Sequence, residues 1–126
     1  MIDSYRLYNN IYGTLVCNTS LEKPCKILRY GLGLTEAEVY VYKSQFDGAE
    51  YLKVRTKIYY LETDKTNQDS EHLFNGEVAG DTPEVITRVK AIADVLNRHN
   101  YQCQFEIYDD NLEFIEEYPK SVRIEK

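Results

Sequence analysis

Residues 36–62, EAEVYVYKSQFDGAEYLKVRTKIYYLE, decide the predicted fold, because two alternating strands flank an Asp47-Gly48 turn signal. Successive side chains of a strand point to opposite faces of a sheet, so this pattern gives the hairpin one apolar face. We expect that face to meet a hydrophobic core. Its members are Val39, Val41, Leu52, Val54 and Ile58.

The opposite face of this hairpin carries three cations among tyrosines, and we call it the basic-aromatic face. A two-residue turn would place Tyr42 opposite Lys53 and Tyr40 opposite Arg55. These residue types suit an anionic ligand, because cations bind phosphate or carboxylate and tyrosine rings stack on bases. The full set is Tyr40, Tyr42, Tyr51, Lys53, Arg55, Lys57 and Tyr59.

The basic-aromatic face also has a purely structural interpretation. Cross-strand pairs contribute ~0.2–1 kcal/mol each, and exposed cation–π contacts add about 0.5–1 kcal/mol. Such pairs stabilise a solvated sheet without any ligand, so both interpretations remain open. The closely spaced Gly and Phe residues of RNA-recognition sheets are absent from the sequence.

The segment DTPEVITRVKAIADVLNRHN, residues 81–100, predicts one long helix over about 83–99. Thr82 can cap this helix, Pro83 suits its first turn, and Glu84 favours the positive end of the helix dipole. An apolar stripe at helical spacing indicates the side that packs on the sheet. The stripe consists of Val85, Ile86, Val89, Ile92, Ala93 and Leu96.

Two further hairpins are predicted near the ends of the chain. An Asn9-Asn10 turn would close the first, and an Asp-Asp-Asn turn with Asn111 in the left-handed conformation would close the second, over residues 101–119. The first turn would place Tyr5 and Leu7 beside Tyr12 and Thr14.

The segments between these elements are predicted as loops and short strands. Residues 17–25 predict a loop in which Pro24 ends any helix, and residues 26–34 predict a short strand broken by two glycines. Residues 63–72 are polar and lack periodicity, which predicts an exposed loop. Residues 73–81 predict a short strand before a turn.

Runs of strands with one visible crossover helix predict an α+β fold, mainly an antiparallel sheet of about six to eight strands with the long helix on one face. The 126 residues suit a single domain, residues 1–126. The N-terminal residues lack the features of a signal peptide, and no stretch approaches the roughly 20 apolar residues of a membrane span. We therefore expect a cytoplasmic protein that does not bind membranes.

The charge of the chain is acidic and unevenly distributed. The formal net charge is −6, and residues 61–126 hold fifteen Asp or Glu against seven Lys or Arg. Duplex nucleic acid is not expected as a ligand, because it needs a broad cationic surface. Acidic side chains of the final hairpin can dock a basic partner, or they can solubilise the surface and protect an edge strand. They are Asp109, Asp110, Glu113, Glu116 and Glu117.

The sequence contains no evident catalytic or metal-binding motif. Its two histidines and three cysteines form neither HExxH nor CxxC. An odd number of cysteines fits a reducing compartment, where we expect Cys17, Cys25 and Cys103 to be buried apolar residues. A Cys–His pair that meets in space stays an alternative. We expect no catalysis, no cofactor and no metal.

Two functions follow from these patterns. In the first, the chain is a small non-catalytic binding module that holds a nucleotide-like anion on the basic-aromatic face. In the second, it is an acidic inhibitor of the immunity or phage anti-defence type, which occludes a basic protein. A third alternative is a homo-oligomer, in which the basic-aromatic face of one copy meets the acidic hairpin of another. The first function assigns charge to Lys53, Arg55 and Lys57, and stacking to Tyr40, Tyr42 and Tyr59.

Overall fold

One antiparallel sheet of seven strands and two helices makes up the part of the chain that the computed structural model describes, residues 10–68 and 70–120. The elements are β1 (Ile11–Val16), α1 (Glu22–Leu32), β2 (Val39–Lys43), β3 (Glu50–Arg55), β4 (Tyr59–Lys65), β5 (Glu71–Val78), α2 (Thr82–Arg98), β6 (Cys103–Tyr108) and β7 (Phe114–Tyr118). The strand order is β2-β3-β4-β5-β1-β6-β7, so β5 is central. The predicted α+β class, antiparallel sheet and long helix are confirmed.

The predicted Asn9-Asn10 hairpin lies partly outside the described residues, as do its expected members Tyr5 and Leu7. Strand β1 pairs with β5 on one side and with β6 on the other. The Asn10 side chain binds the end of β5, where it accepts a hydrogen bond from Val78 N and donates one to Val78 O, each at 3.0 Å. Asn10 thus extends the β1–β5 pairing by one step.

The hydrophobic core lies between the two helices and one face of the sheet. Alternate residues of each strand face the helices, as the period of two requires. The rings of Phe74 on β5 and Phe105 on β6 lie 5.5 Å apart within this core. Other large side chains that are fully buried are Ile11, Leu15, Leu21, Leu28, Leu52, Leu61, Ile92, Leu96 and Ile107.

Helix α2 is capped by Asp81 rather than by the predicted Thr82. The Asp81 carboxylate accepts a hydrogen bond from Glu84 N at 3.0 Å, and the Glu84 carboxylate accepts one from Asp81 N at 2.9 Å. This reciprocal pair is a capping box. Most of the predicted apolar stripe is buried, together with one further residue: Val85, Val89, Ile92, Ala93, Val95 and Leu96.

Helix α1 replaces the loop and the broken strand that the sequence predicts over residues 17–34, so that prediction is wrong. Pro24 lies in the first turn of α1, where its missing N–H removes no helical hydrogen bond. Gly33 ends the helix in the left-handed conformation, with φ 67°. A Cβ on Gly31 would lie 2.5 Å from a methyl group of Val95, so this glycine lets α1 and α2 pack closely.

The β2–β3 hairpin keeps its predicted faces but not its predicted register. Tyr40 pairs with Lys53 rather than with Arg55. The Asp47-Gly48 pair lies inside a longer loop, residues 44–49, instead of forming a two-residue turn. A shift of two residues preserves the alternation of side chains. The predicted core residues Val39, Leu52 and Val54 are therefore buried.

Strand β3 ends at Arg55, and a turn at residues 56–58 separates it from β4. The Thr56 hydroxyl accepts hydrogen bonds from Ile58 N at 2.9 Å and from Tyr59 N at 2.8 Å, which fixes the turn. After the turn, the alternation of buried and exposed side chains resumes shifted by one residue. Ile58 is exposed rather than buried, and Tyr59 is buried rather than exposed, so both of these predictions are wrong.

Strands β4 and β5 extend into the segment that the sequence predicts as a loop, residues 63–72. Thr63 is fully buried within β4. Its hydroxyl accepts a hydrogen bond from Leu52 N at 2.9 Å, so a buried polar side chain satisfies a backbone group of the neighbouring strand. Between β4 and β5 the structure describes residues 66–68 and 70, and the strand predicted within 73–81 is part of β5.

Candidate functional site

The face of the sheet turned away from the helices carries side chains from all seven strands, and we call it the open face. The strand pairing arranges these side chains in three rows. The first row holds Tyr42, Tyr51, Asp64, Leu73, Thr14 and Gln104; the second holds Tyr40, Lys53, Glu62, Asn75, Tyr12, Glu106 and Glu117; the third holds Arg55, Tyr60, Glu77, Tyr108 and Phe114. Aromatic residues occupy seven of these eighteen positions, a composition typical of protein interfaces.

The aromatic residues of the open face form contacts at both ends of the sheet. On the β6–β7 side, the ring of Tyr108 lies 5.4 Å from that of Tyr12 and 5.7 Å from that of Phe114, both edge to face. On the β2–β3 side, the rings of Tyr42 and Tyr51 are 6.4 Å apart. Tyr12, Tyr60, Tyr108 and Phe114 are members that the sequence did not single out, because they come from strands that are distant in the chain.

Only part of the predicted basic-aromatic face lies together on the open face of the sheet. Lys57 lies in the exposed turn after β3, and Tyr59 faces the core with 9% of its surface exposed. Burial also raises the pKa of the Tyr59 hydroxyl. The prediction that Lys57 and Tyr59 belong to this face is therefore wrong. The predicted residues that do lie together on the open face are Tyr40, Tyr42, Tyr51, Lys53 and Arg55.

Arg55 is held by groups of its own chain. Its guanidinium donates to Leu61 O at 2.6 Å and to Val54 O at 3.2 Å, and it forms an ion pair with Glu62. The guanidinium carbon also lies 3.9 Å from the centre of the Tyr60 ring. These contacts engage the charge and several donors that an anionic ligand would need.

Lys53 is less constrained than Arg55. Its ammonium lies 5.2 Å from the centre of the Tyr42 ring, and Tyr42 is 49% exposed. Lys53 also stands opposite Glu62 in the β3–β4 register. Of the three cations that the sequence predicts for one site, Lys53 keeps its place beside the exposed Tyr42.

The turn between β6 and β7, residues 109–113, is fixed by hydrogen bonds, and we call it the acidic tip. The Asp109 carboxylate accepts from Asn111 N at 2.8 Å and from Glu113 N at 3.0 Å. Backbone bonds run from Leu112 N to Asp109 O at 2.9 Å and from Asp109 N to Glu113 O at 3.0 Å. Asp109 therefore shapes the turn, while Asp110 and Glu113 present their carboxylates to solvent.

Leu112 takes the left-handed backbone conformation in the acidic tip, with φ 63°. The sequence predicts this conformation for Asn111, and that prediction is wrong. A residue with a Cβ pays roughly 1–2 kcal/mol in this region, which glycine occupies freely. Leu112 is also 53% exposed. The tip thus displays an apolar side chain at an unfavourable backbone position, between exposed carboxylates in the sequence.

The five carboxylates predicted as one cluster do not converge. Glu116 lies on the helix side of β7, where its carboxylate is 3.6 Å from the ammonium of Lys90 on α2. Glu117 lies on the open face and accepts a hydrogen bond from Gln104 at 3.4 Å. The acidic tip therefore keeps Asp109, Asp110 and Glu113, whereas the other two carboxylates point to opposite faces of the sheet.

The three cysteines are free and buried, as predicted. Burial raises the pKa of the Cys25 and Cys103 thiols. The Cys17 thiol donates to Thr19 O at 3.4 Å. Cys17 and His72 both border one shallow hollow of about 380 Å³, and the Cys–His alternative stays a prediction.

Comparisons with protein-family models, with curated proteins and with solved structures find no match to this chain. Among residues 10–68 and 70–120, no helix combines the length and the apolar character needed to cross a membrane. The same residues contain no group of three or more His, Cys, Asp or Glu side chains arranged to hold a metal ion. A proposal about function therefore depends on the open face and the acidic tip.

Proposed function

We propose that this chain is a non-catalytic protein-binding module that occludes a basic partner through its acidic tip, as inhibitors of the immunity or anti-defence type do. The observation that carries the proposal is Leu112, an exposed leucine held in a left-handed turn that Asp109 fixes. Backbone strain persists where the surrounding structure imposes it, and it concentrates at functional sites.

The acidic tip combines the two properties of a small docking surface. Leu112 offers an apolar anchor that a pocket of the partner can bury, and buried anchors contribute most of the binding energy of an interface. Asp110 and Glu113 surround it with negative charge, which attracts a cationic surface and accelerates association. Because the turn is already fixed, binding costs little conformational entropy.

Replacing Leu112 with glycine tests the proposal, because the stability of the chain and its binding of the partner should then change in opposite directions. We expect Leu112→Gly to raise the free energy of unfolding by about 0.5–1 kcal/mol in urea titrations, since relief of the left-handed strain exceeds the extra entropy of glycine. The matched control is Asn100→Gly, which changes the other described non-glycine residue with positive φ, at 70° after α2.

Affinity capture at low salt then measures the binding function. The expected partner is retained by the wild type and by Asn100→Gly, is lost from Leu112→Gly, and is lost from a charge reversal at Asp110 and Glu113. Raised ionic strength should release it, because screening shortens the range of the charge attraction. If Leu112→Gly and the charge reversal retain the same proteins as the wild type, the acidic tip is not a docking surface.

A second candidate function is the binding of a nucleotide-like anion beside Lys53. It is favoured by the position of the Lys53 ammonium over Tyr42, with Tyr40 opposite in the adjacent strand. Calorimetry with nucleotides distinguishes this candidate: Lys53→Ala would abolish binding, and Lys57→Ala in the neighbouring turn would not. If the wild type releases no heat with any nucleotide, this candidate is excluded and the protein-binding function is unaffected.

A further inference from the structure

We infer that two copies of this chain pair through their open faces, about a two-fold axis that runs along β5. Strand β5 is the middle of the seven strands. A half turn about an axis along β5 places β3 of one copy over β6 of the other, and β4 over β1. The occupant of the open face is therefore a second copy, related by the symmetry most common among dimers.

Under this half turn the charges of β3 and β6 are complementary, whereas Glu77 on the axial strand β5 faces its own copy and repels it. On β3 the charged side chains of the face are the cations Lys53 and Arg55, whereas on β6 the charged side chain is Glu106. Lys53 and Glu106 belong to the same row, and each lies two strand spacings from β5, on opposite sides of it. The half turn thus sets Lys53 of each copy against Glu106 of the other, which gives two attractive contacts per dimer.

The area of the open face is sufficient for a stable dimer. Seven strands at about 4.8 Å spacing and three rows about 6.6 Å apart give a face of roughly 34 by 20 Å. Two such faces would bury about 1,400 Å² in total, within the range of specific interfaces. Face-to-face packing at about 10 Å is also the ordinary arrangement of two sheets.

The apolar content of the face supports its burial. Tyr12 is 40% exposed and Tyr42 is 49% exposed in the single chain, and Leu73 on the central strand is 38% exposed. Tyrosine is enriched in interfaces because its ring is buried while its hydroxyl can still find a polar partner. Leu73 would meet its own symmetry copy near the axis.

Measurement of molar mass by light scattering, from about 1 µM to about 1 mM, tests self-association over the range of weak to moderate dimers. We expect a concentration-dependent dimer that weakens with salt. Lys53→Glu and Glu106→Lys should each raise the dissociation constant by at least about tenfold, because each sets like charges against each other twice. The matched controls are Lys26→Glu on α1 and Glu36→Lys after it, which are exposed and outside the open face.

Mixing the two variants gives the decisive result. In a dimer of one Lys53→Glu chain with one Glu106→Lys chain, one contact keeps its native charges and the other has them exchanged, so both attract. The mixture should therefore dimerise like the wild type, which also shows that both variants are folded. A wild type that stays monomeric at the highest concentration overturns the inference, as does a mixture that associates no better than either variant alone.

This test is independent of the proposed function. Asp110 and Glu113 of the acidic tip lie outside the three rows of the open face, and no partner protein is present in the measurement. If the mixing experiment fails, the proposed docking function of the acidic tip is not affected. If Leu112→Gly still binds a partner, the inference of a dimer is not affected.

Discussion

The two faces of the sheet are built by the same strands, yet they differ in what holds their side chains. On the helix side, neighbours such as Phe74 and Phe105 are fully buried and pack against each other. On the open face, charged and aromatic side chains are paired locally, as Arg55 is with Glu62 and Tyr60. Alternation along a strand therefore predicts which of its sides is buried. The contacts of the other side depend on neighbouring strands that are distant in the sequence and meet only in the folded chain.

The largest effect that tests this comparison is expected from two adjacent residues of β5. Phe74→Ala should lower the free energy of unfolding by about 3–5 kcal/mol, because it leaves a cavity beside Phe105. Leu73→Ala, its neighbour on the open face, should cost less than about 1 kcal/mol. Urea titrations at a concentration where light scattering shows only the monomer measure both. A similar loss for Leu73→Ala would mean that the open face is covered within a single chain.

A smaller effect is expected at the two cations of β3. Arg55→Ala should destabilise the chain by about 1–2 kcal/mol, since it removes two hydrogen bonds to backbone carbonyls, an ion pair and a contact with Tyr60. Lys53→Ala should change stability by less than about 0.5 kcal/mol. The same titrations compare the variants. If Arg55→Ala leaves stability unchanged but abolishes binding of a nucleotide that the wild type binds, Arg55 belongs to a ligand site.

Much of the fold could be predicted from local patterns. The stripe of α2 and the alternation of β2, β3 and β6 identify most of the core, because burial follows the periods of helix and strand. Helix α1 is harder to predict, because Pro24 is typical of a helix end and is equally well suited to a first turn. The sequence does not indicate the turn after Arg55, because the Thr56 hydroxyl, rather than a Gly or Pro residue, ends the strand.

The candidate sites were less predictable than the core. The open face joins residues from all seven strands, and the register that places Lys53 in line with Glu106 depends on pairings between distant segments. In the acidic tip, composition pointed to Asn111 for the left-handed position, but the hydrogen bonds of Asp109 impose it on Leu112. Composition located the charges correctly and could not show which of them are engaged within the chain.

The smallest effect is expected on the thermal stability of the chain, from two tyrosines that donate hydrogen bonds to carboxylates. One of these tyrosines lies on each face of the sheet. Tyr118 on the helix side donates to Asp94 of α2 at 2.6 Å, and Tyr108 on the open face donates to Glu106 of its own strand at 2.9 Å. Each hydrogen bond raises the pKa of the phenol, because loss of its proton would place two negative charges together.

A raised pKa in the folded state gives stability that is present below the ordinary value of 10 and is lost as pH rises through the folded value. Tyr118→Phe should therefore lower Tm at neutral pH by roughly 1–3 °C and make Tm fall less between pH 9 and 11. Tyr108→Phe should have a weaker effect, because its bond joins residues two apart rather than a strand to a helix. Thermal unfolding monitored by circular dichroism at each pH separates the two. Equal effects of the two variants would show that the bond to Asp94 does not help to hold β7 against α2.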